Sequence, residues 1–160
     1  MIRVLLLGCF LLLGACANRL PLPVHTPTLA LPLQLLVERE QDGVRQDWLL
    51  VIQREADGLR WSLMDPLGIP LARQLLQNGD WRADGLLPPN PQARELFAAL
   101  LFALTPQAEL AGNYPTAHQQ AGQRELGEQW HVSYRQPLFF RLDLPQGLHY
   151  NISPLNESAP

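Results

Sequence analysis

The 160-residue sequence contains no lysine, so arginine supplies all of its permanent side-chain cations. There are 12 arginines against 15 acidic residues, the formal net charge is −3, and no basic run occurs anywhere in the chain. Proteins that bind nucleic acid neutralise phosphates with a stripe of basic side chains. The absence of such a stripe argues against a nucleic-acid partner.

The residue patterns that usually carry catalysis are also missing. Cys9 and Cys16 are the only cysteines, and no serine lies in a Gly-x-Ser-x-Gly elbow. No glycine-rich phosphate loop is present. The histidines lack the short spacing typical of metal ligands and are His25, His118, His131 and His149. The sequence therefore predicts a protein that is not an enzyme and that holds no metal or other cofactor.

The chain begins like a secretory signal. Arg3 precedes an apolar run, Val4–Ala15, and Cys16 follows that run directly. As a helix the run would reach about 18 Å, which is too short for a hydrocarbon core of about 30 Å. We therefore interpret residues 1–15 as a removable signal peptide rather than a transmembrane helix.

The end of this signal, Leu13-Gly14-Ala15-Cys16, resembles the lipobox of bacterial lipoproteins. The resemblance implies that cleavage exposes Cys16, which then carries covalent diacylglycerol and an N-acyl chain. Ala17 stands where an aspartate would imply retention in the inner membrane, so the expected location is the outer membrane, on its periplasmic face. The alternative is an ordinary signal peptide followed by a chance cysteine.

Composition divides the remaining chain into three parts. Residues 16–32 are rich in proline, which disfavours helices and central strands, and we interpret them as a tether that lifts the domain off the membrane. Residues 33–155 are expected to form one domain, long enough to fold on a hydrophobic core without disulfides. Residues 156–160 are predicted to be a tail, with fraying from Ser153 onwards.

Alternation of apolar and polar residues predicts β-strands through most of this domain. The expected strands are Leu33–Glu40, Arg45–Glu55, Leu59–Leu63, Ile69–Leu76, Asp80–Ala83, Trp130–Arg135, Leu138–Leu144 and Leu148–Ile152. Turn signals such as Asp57-Gly58 separate them. Gly112–Gly127 is polar and rich in glutamine, which predicts an exposed loop. The sum is seven or eight antiparallel strands.

One segment breaks the strand pattern. Asn90 is a favourable N-cap with Pro91 at the first helical position, and the residues up to Thr105 are apolar on all sides, which is typical of a buried helix. Strands with one apolar face need something to cover it. The predicted fold class is therefore α+β: a curved antiparallel β-sheet, an open half-barrel, wrapped around a buried helix.

The block Leu59–Leu110 resembles the LolB family of outer-membrane lipoproteins. It contains a strand ending in Asp65-Pro66-Leu67-Gly68, a returning strand and a short hairpin, then a proline-rich entry to a helix over Ala93–Leu104, and Pro106. The closing strands Phe139–Ile152 also fit. The match looks closest to LolB-like lipoproteins of aryl-polyene and related fatty-acid-type gene clusters. The chain departs from the family in its shorter length and its glutamine-rich loop.

The resemblance implies a LolA/LolB-like half-barrel with an apolar cavity for acyl chains. It also implies a LolA-like periplasmic carrier as partner and delivery to the outer membrane. Leu67 matches the family's outward-projecting leucine, which serves the transfer; in the alternative, this leucine folds back onto the core. The cargo would be either lipoproteins in general or one lipid-like product of a neighbouring pathway.

The candidate residues for the cavity wall are alternating apolar positions of strands and helix, namely Trp61, Leu63, Phe97, Leu101, Phe140 and Leu142. The same residues suit a filled core, because small domains pack their interiors densely. A filled core would indicate a structural or interaction lipoprotein that binds a periplasmic partner through its surface.

Overall fold

The computed structural model describes residues 20–155. The predicted signal peptide, the lipidation site Cys16 and the tail over residues 156–160 lie outside the described residues. The whole sequence-predicted domain, residues 33–155, therefore has a described structure, preceded by part of the predicted tether.

A single ten-stranded sheet dominates the described chain. Its strands are β1 (Leu33–Gln41), β2 (Val44–Glu55), β3 (Gly58–Met64), β4 (Pro70–Gln77), β5 (Asp80–Ala83), β6 (Ala117–Gln120), β7 (Gln123–Leu126), β8 (Trp130–Gln136), β9 (Phe139–Leu144) and β10 (Leu148–Pro154). The order is β5-β4-β3-β2-β1-β10-β9-β8-β7-β6, and every neighbouring pair is antiparallel. β5 and β6 end this order, so the curved sheet is open, as the predicted fold class requires.

Two predictions about the sheet are wrong. Gly112–Gly127 is not a loop: it contains the hairpin of β6 and β7, which raises the strand count above the expected seven or eight. This hairpin lies at the edge of the sheet, and most of its residues are exposed or half-buried, so it lacks a marked apolar alternation. The chain also does not fray at Ser153, because β10 continues to Pro154 and pairs there with Leu35.

The predicted buried helix is confirmed as α1 (Pro91–Leu104). The side chain of Asn90 accepts a hydrogen bond from the backbone N–H of Ala93 at 3.0 Å, as expected of an N-cap. The eight consecutive residues from Leu96 to Ala103 are all buried. A short second helix, α2 (Gln107–Asn113), follows and was not predicted.

The helix α1 packs against the sheet through two aromatic clusters. Phe97 lies 5.5 Å from Trp61 and 5.8 Å from Trp81, measured between ring centroids. Further along the helix, Phe102 lies 5.0 Å from Tyr114 and 5.8 Å from Trp130. Aromatic pairs at such separations add to the hydrophobic gain from burial. The helix therefore binds both halves of the sheet to one core.

The strand ends form two rims. The Leu67 rim carries the turns over residues 42–43, 65–69, 127–129 and 145–147. The Leu138 rim carries the turns over residues 56–57, 78–79, 121–122 and 137–138. The helix α1 runs from the Leu67 rim to the Leu138 rim. At its start, Asn90 Nδ2 donates to the carbonyl oxygen of Leu71, the second residue of β4. At its end, the carbonyl oxygen of Ala103 accepts from the hydroxyl of Tyr134, near the end of β8.

Residues 20–32 are the part of the predicted tether that the structure describes. They have no helix or strand, as their prolines predict, but they lie on the domain. The backbone N–H of Val24 donates to the carbonyl oxygen of Asn113, and that of Thr28 donates to the Glu109 carboxylate at 2.9 Å. Leu29 is buried in the core. The segment follows α2 because its leucines pack on the core, where Leu29 is buried and Leu20, Leu22 and Leu31 are partly buried. The proline content of the segment does not indicate these contacts.

Candidate functional site

The turn between β3 and β4 presents Leu67 to solvent. The Leu67 side chain is 85% exposed, so it does not fold back onto the core. One carboxylate oxygen of Asp65 accepts hydrogen bonds from the backbone N–H groups of Leu67, at 2.9 Å, and Ile69, at 2.8 Å. The carbonyl oxygen of Asp65 accepts from the N–H of Gly68 at 3.0 Å. Three bonds to one residue fix this turn while its apolar tip stays in water.

The segment that comes from the predicted lipidation site joins the domain at the same rim. Pro21 and Leu22 border a depression whose other walls include Leu126, Gly127 and Gln129. These last three residues lie at the β7–β8 turn of the Leu67 rim. From there residues 20–32 run beside α2 to the opposite rim, where β1 begins. The described chain therefore starts at the rim that carries Leu67.

The six sequence-predicted cavity residues are brought together in the interior. Trp61, Leu63, Phe97, Leu101, Phe140 and Leu142 are all at most 3% exposed. Their surroundings are packed: Trp61 has both Trp81 and Phe97 at 5.5 Å between ring centroids. Phe140 also borders a surface depression on the outside of β8 and β9. All six lie in the buried core that α1 shares with the sheet.

A cavity of about 800 Å³ opens instead at the Leu138 rim, and we call it the rim cavity. It lies where the C-terminal end of α1, the start of α2, residues 28–33, the β6–β7 hairpin and the β8–β9 turn meet. Its apolar wall includes Leu29, Leu33, Leu104, Pro137 and Leu138. Its polar wall includes Gln119, Arg124, Tyr134, Arg135 and Gln136.

Arg124 is the buried cation of this cavity, with only 4% of its surface exposed. Its Nη1 donates to the carbonyl oxygens of Phe102 at 2.8 Å, Ala103 at 3.1 Å and Thr105 at 2.8 Å. These carbonyls belong to the C-terminal end of α1, where helical N–H donors run out; of the three, only that of Phe102 also accepts a backbone N–H in the described chain, from Thr105 at 3.3 Å. Arg124 therefore closes the helix, and its charge suits the negative end of the helix dipole.

Two aromatic rings and one amide complete the environment of Arg124. Its guanidinium carbon lies 5.7 Å from the ring centroid of Phe102 and 5.5 Å from that of Tyr134. Its Nε and Nη2 both donate to the side-chain oxygen of Gln119, at 3.2 Å and 2.9 Å. Burial lowers the pKa of Arg124, and the nearby hydroxyls of Tyr134 and Tyr114 oppose that shift. Within residues 20–155 no carboxylate pairs with this cation.

Sequence analysis missed the rim cavity because its walls come from four separate segments of the chain. Arg124 lay in the predicted loop, where a charged residue is expected to be solvated. The available signal was Arg124-Glu125-Leu126 after the Ala121-Gly122 turn, which places Arg124 and Leu126 on the same face of a strand. Leu126 is buried, and Arg124, two residues before it in the same strand, must face the same side of the sheet.

Two of the histidines lie on the outer face of the sheet. His131 and His149 flank Asp143 across neighbouring strands, and His149 Nδ1 lies 2.5 Å from an Asp143 carboxylate oxygen. Arg141 Nε donates to the same oxygen at 2.8 Å. In the part of the chain with a described structure, no group of three or more histidine, cysteine, aspartate or glutamate residues has the arrangement of a metal site.

None of the helices within residues 20–155 combines the length and hydrophobicity needed to cross a bilayer. Comparison with known proteins gave no match to a protein-family model and no match among curated proteins.

Proposed function

We propose that this chain is a non-enzymatic outer-membrane lipoprotein of the LolB-like type. It would be anchored through acyl chains on Cys16, receive acyl chains from a LolA-like periplasmic carrier, and release them into the membrane. The cargo would be lipoproteins or a lipid-like pathway product. The observation that carries the proposal is the rigid presentation of exposed Leu67 on the rim where the described chain begins.

Chain length links this rim to the anchor. Cys16 lies four residues before Leu20. A chain extends at most about 3.6 Å per residue, so the anchor lies within about 14 Å of the point where the described chain begins. The Leu67 rim therefore stays near the lipid surface when Cys16 is acylated.

The free energy gained by burying one leucine side chain suits a brief contact with the membrane. Burial of a leucine side chain contributes about 1.5–3 kcal/mol, far less than stable anchoring needs. Leu67 therefore does not hold the protein on the bilayer; the acyl chains on Cys16 would do so. It can instead form and break contact with the acyl region while cargo passes.

The test is a transfer assay with the chain that lacks residues 1–15 and carries Cys16→Ser. The sheet, both helices and the core all lie within residues 20–155, so this chain keeps its folding unit. It is loaded with a dansyl-labelled fatty acid and mixed with vesicles of outer-membrane-type phospholipid that contain a quencher. We expect saturable loading, followed by transfer that slows several-fold in Leu67→Gln while the loading affinity is unchanged.

The matched control is Leu155→Gln, since Leu155 is 40% exposed and lies beyond the end of β10, at the Leu138 rim. Equal slowing by Leu67→Gln and Leu155→Gln would contradict a specific role for the Leu67 turn. A folded, monomeric protein that binds no labelled fatty acid would contradict the acyl-handling function itself.

A second candidate is an anchored interaction module that binds a protein partner. The packed interior favours it, because Trp61 and Phe97 are fully buried and fill the space where a ligand of the core would lie. Absence of fatty-acid binding by the folded protein, together with a partner captured by chemical cross-linking in the periplasm, would support this candidate over acyl transfer.

A further inference from the structure

We propose that the rim cavity binds a single-chain amphiphile with an anionic head group. The chain would lie against the leucines of the cavity, and Arg124 and Arg135 would receive the carboxylate or phosphate of the head. The inference rests on the proposed acyl-handling function and gives it a site other than the packed interior. The reasons are the shape, the apolar wall and the uncompensated charge of the cavity.

The size and position of the rim cavity suit an acyl chain. Its volume of about 800 Å³ lies in the range of small-molecule sites. Leu33, Leu104 and Leu138 on its wall are half-buried, so the structure leaves apolar surface there in contact with solvent. A ligand chain would cover that surface without displacing α1, whereas a ligand in the interior would have to separate Phe97 from Trp61.

The hydrogen bonds of Arg124 leave room for one more acceptor. A guanidinium has five N–H groups. Nε uses its one on Gln119, Nη1 shares its two among three backbone carbonyls, and Nη2 uses one on Gln119. One Nη2 hydrogen therefore has no acceptor within residues 20–155. An anionic oxygen from a ligand would satisfy it.

The charge of the cavity also lacks a counterion. Arg124 is buried among carbonyls, an amide and two aromatic rings, none of which carries a negative charge. Arg135, on the same wall, is exposed and has no ion pair in the described chain. A buried unpaired cation is costly, and an anion at hydrogen-bonding distance offsets that cost. Carboxylate and phosphate both meet this requirement.

The rim cavity lies at the end of the sheet opposite to Leu67. If the Leu67 rim faces the lipid surface, the mouth of the cavity faces the periplasm. An amphiphile arriving in solution or on a carrier would therefore reach the cavity without crossing the membrane-facing side.

The first experiment compares a dansyl-labelled fatty acid with its methyl ester, using the mature chain with Cys16→Ser. The two probes share the chain and differ only in the charge of the head. We expect the acid to bind at least about tenfold more tightly than the ester, because only the acid gains charge-assisted hydrogen bonds. Competition by unlabelled decanoate and by decyl phosphate then separates carboxylate from phosphate as the preferred head.

The second experiment fills the cavity without touching the core. Ala30 is exposed and lies on the cavity wall, so Ala30→Trp places a large side chain in the mouth. The matched control is Ala56→Trp, at an exposed turn on another part of the same rim. We expect Ala30→Trp to weaken binding about tenfold and Ala56→Trp to leave it unchanged.

The third experiment removes one charge. Arg135→Gln should weaken binding of the acid several-fold and leave binding of the ester unchanged. Arg73→Gln makes the same change at an exposed position on β4 and should alter neither affinity. Arg135 is exposed, and Arg124 still closes the end of α1 in this variant. The variant therefore tests the head-group contact without changing the helix end.

The outcomes separate the two proposals. Equal binding of acid and ester, unaffected by Ala30→Trp, would overturn the rim-cavity site and leave acyl handling through another site intact. Binding of neither probe by the folded protein would overturn both. Preference for the acid that Ala30→Trp and Arg135→Gln both reduce would support the site as proposed.

Discussion

Arg124 Nη1 donates a hydrogen bond to the carbonyl oxygen of Phe102 at 2.8 Å, so β7, the strand next to the edge strand β6, closes the C-terminal end of α1. Arg124→Met would leave the Thr105 carbonyl without its donor. It would also remove one donor from the carbonyls of Phe102 and Ala103, which keep the N–H of Thr105 and the hydroxyl of Tyr134, respectively. Because hydrogen bonds to charged groups contribute about 1.5–3 kcal/mol, we expect the free energy of unfolding to fall by about that amount or more. Urea denaturation followed by tryptophan fluorescence measures it.

The control for this loss is Arg73→Met, which removes an exposed arginine on β4. Surface changes of this kind usually alter the free energy of unfolding by no more than about 0.5 kcal/mol. A similar small effect of Arg124→Met would show that the helix end does not depend on the guanidinium.

The Asp65 carboxylate governs the order of the Leu67 turn. In Asp65→Ala the N–H groups of Leu67 and Ile69 lose their acceptor, whereas Asp65→Asn keeps a side-chain oxygen in its place. We expect faster amide hydrogen exchange at Leu67 and Ile69 in the alanine variant and near-native exchange in the asparagine variant. Unchanged exchange in Asp65→Ala would mean that the turn is held by other contacts.

The aromatic contact of α1 with β3 and β5 depends on Phe97. Phe97→Ala removes a fully buried ring that packs against both Trp61 and Trp81, and such truncations cost about 3–5 kcal/mol. Thermal and urea unfolding measure this loss. Leu86→Ala, at a fully exposed position before α1, should have almost no effect. Equal effects of the two substitutions would contradict the packing of the core.

Alkaline pH should destabilise the fold through its buried tyrosines. Burial raises the pKa of Tyr134 to about 12, although the cation of Arg124 lowers it in part. Burial likewise raises the pKa of Tyr150 to about 12. The unfolded value is about 10, so the stabilisation is complete below pH 10 and is lost as the pH rises through about 12.

The measurement is urea unfolding at a series of pH values from neutral to strongly alkaline, with tyrosinate absorbance recorded in parallel. We expect a smaller alkaline loss of stability in Tyr134→Phe than in the unmodified chain, because one titrating group has been removed. An identical alkaline loss in both proteins would show that Tyr134 ionises equally in the folded and unfolded states.

Lipid attachment at Cys16 is a prediction of the sequence alone. Cys16→Ser in the full chain should abolish incorporation of an alkyne-labelled palmitate, leave the precursor uncleaved and remove the protein from the outer-membrane fraction. Cys9→Ser serves as the control, since Cys9 lies within the apolar run of the signal. Labelling that survives in Cys16→Ser would contradict the lipobox interpretation.

Patterns within one segment allowed most of the fold to be predicted. Alternation in β3 and β9 has a direct physical cause, because one face of each strand packs on α1 and the other faces solvent. The all-round apolar character of α1 likewise reflects burial on every side. The edge hairpin of β6 and β7 gave no such signal, since Gln119, Gln120 and Gln123 are exposed.

The candidate sites were less accessible to sequence reasoning. The exposure of Leu67 was predicted from the resemblance of its turn to a family motif. The Leu67 side chain is exposed in the structure, in agreement with that prediction. The rim cavity depends on contacts between residues far apart in the chain: Leu29 and Arg124 line it together although 95 positions separate them. No local period or spacing encodes such a contact, because tertiary packing alone brings the two side chains together.

If Cys16 carries the proposed lipid, the docking of residues 20–32 on α2 has a consequence for kinetics at the membrane. A long free linker would let the domain sample a large volume, and the effective concentration of its surface groups at the bilayer would fall steeply with linker length. With this segment bound to Asn113 and Glu109 and packed on the core from Leu20 onwards, three residues separate Cys16 from the docked part of the chain. In a chain lipidated at Cys16, each encounter of Leu67 with lipid would be an intramolecular event, and the domain would meet the bilayer in only a narrow set of orientations.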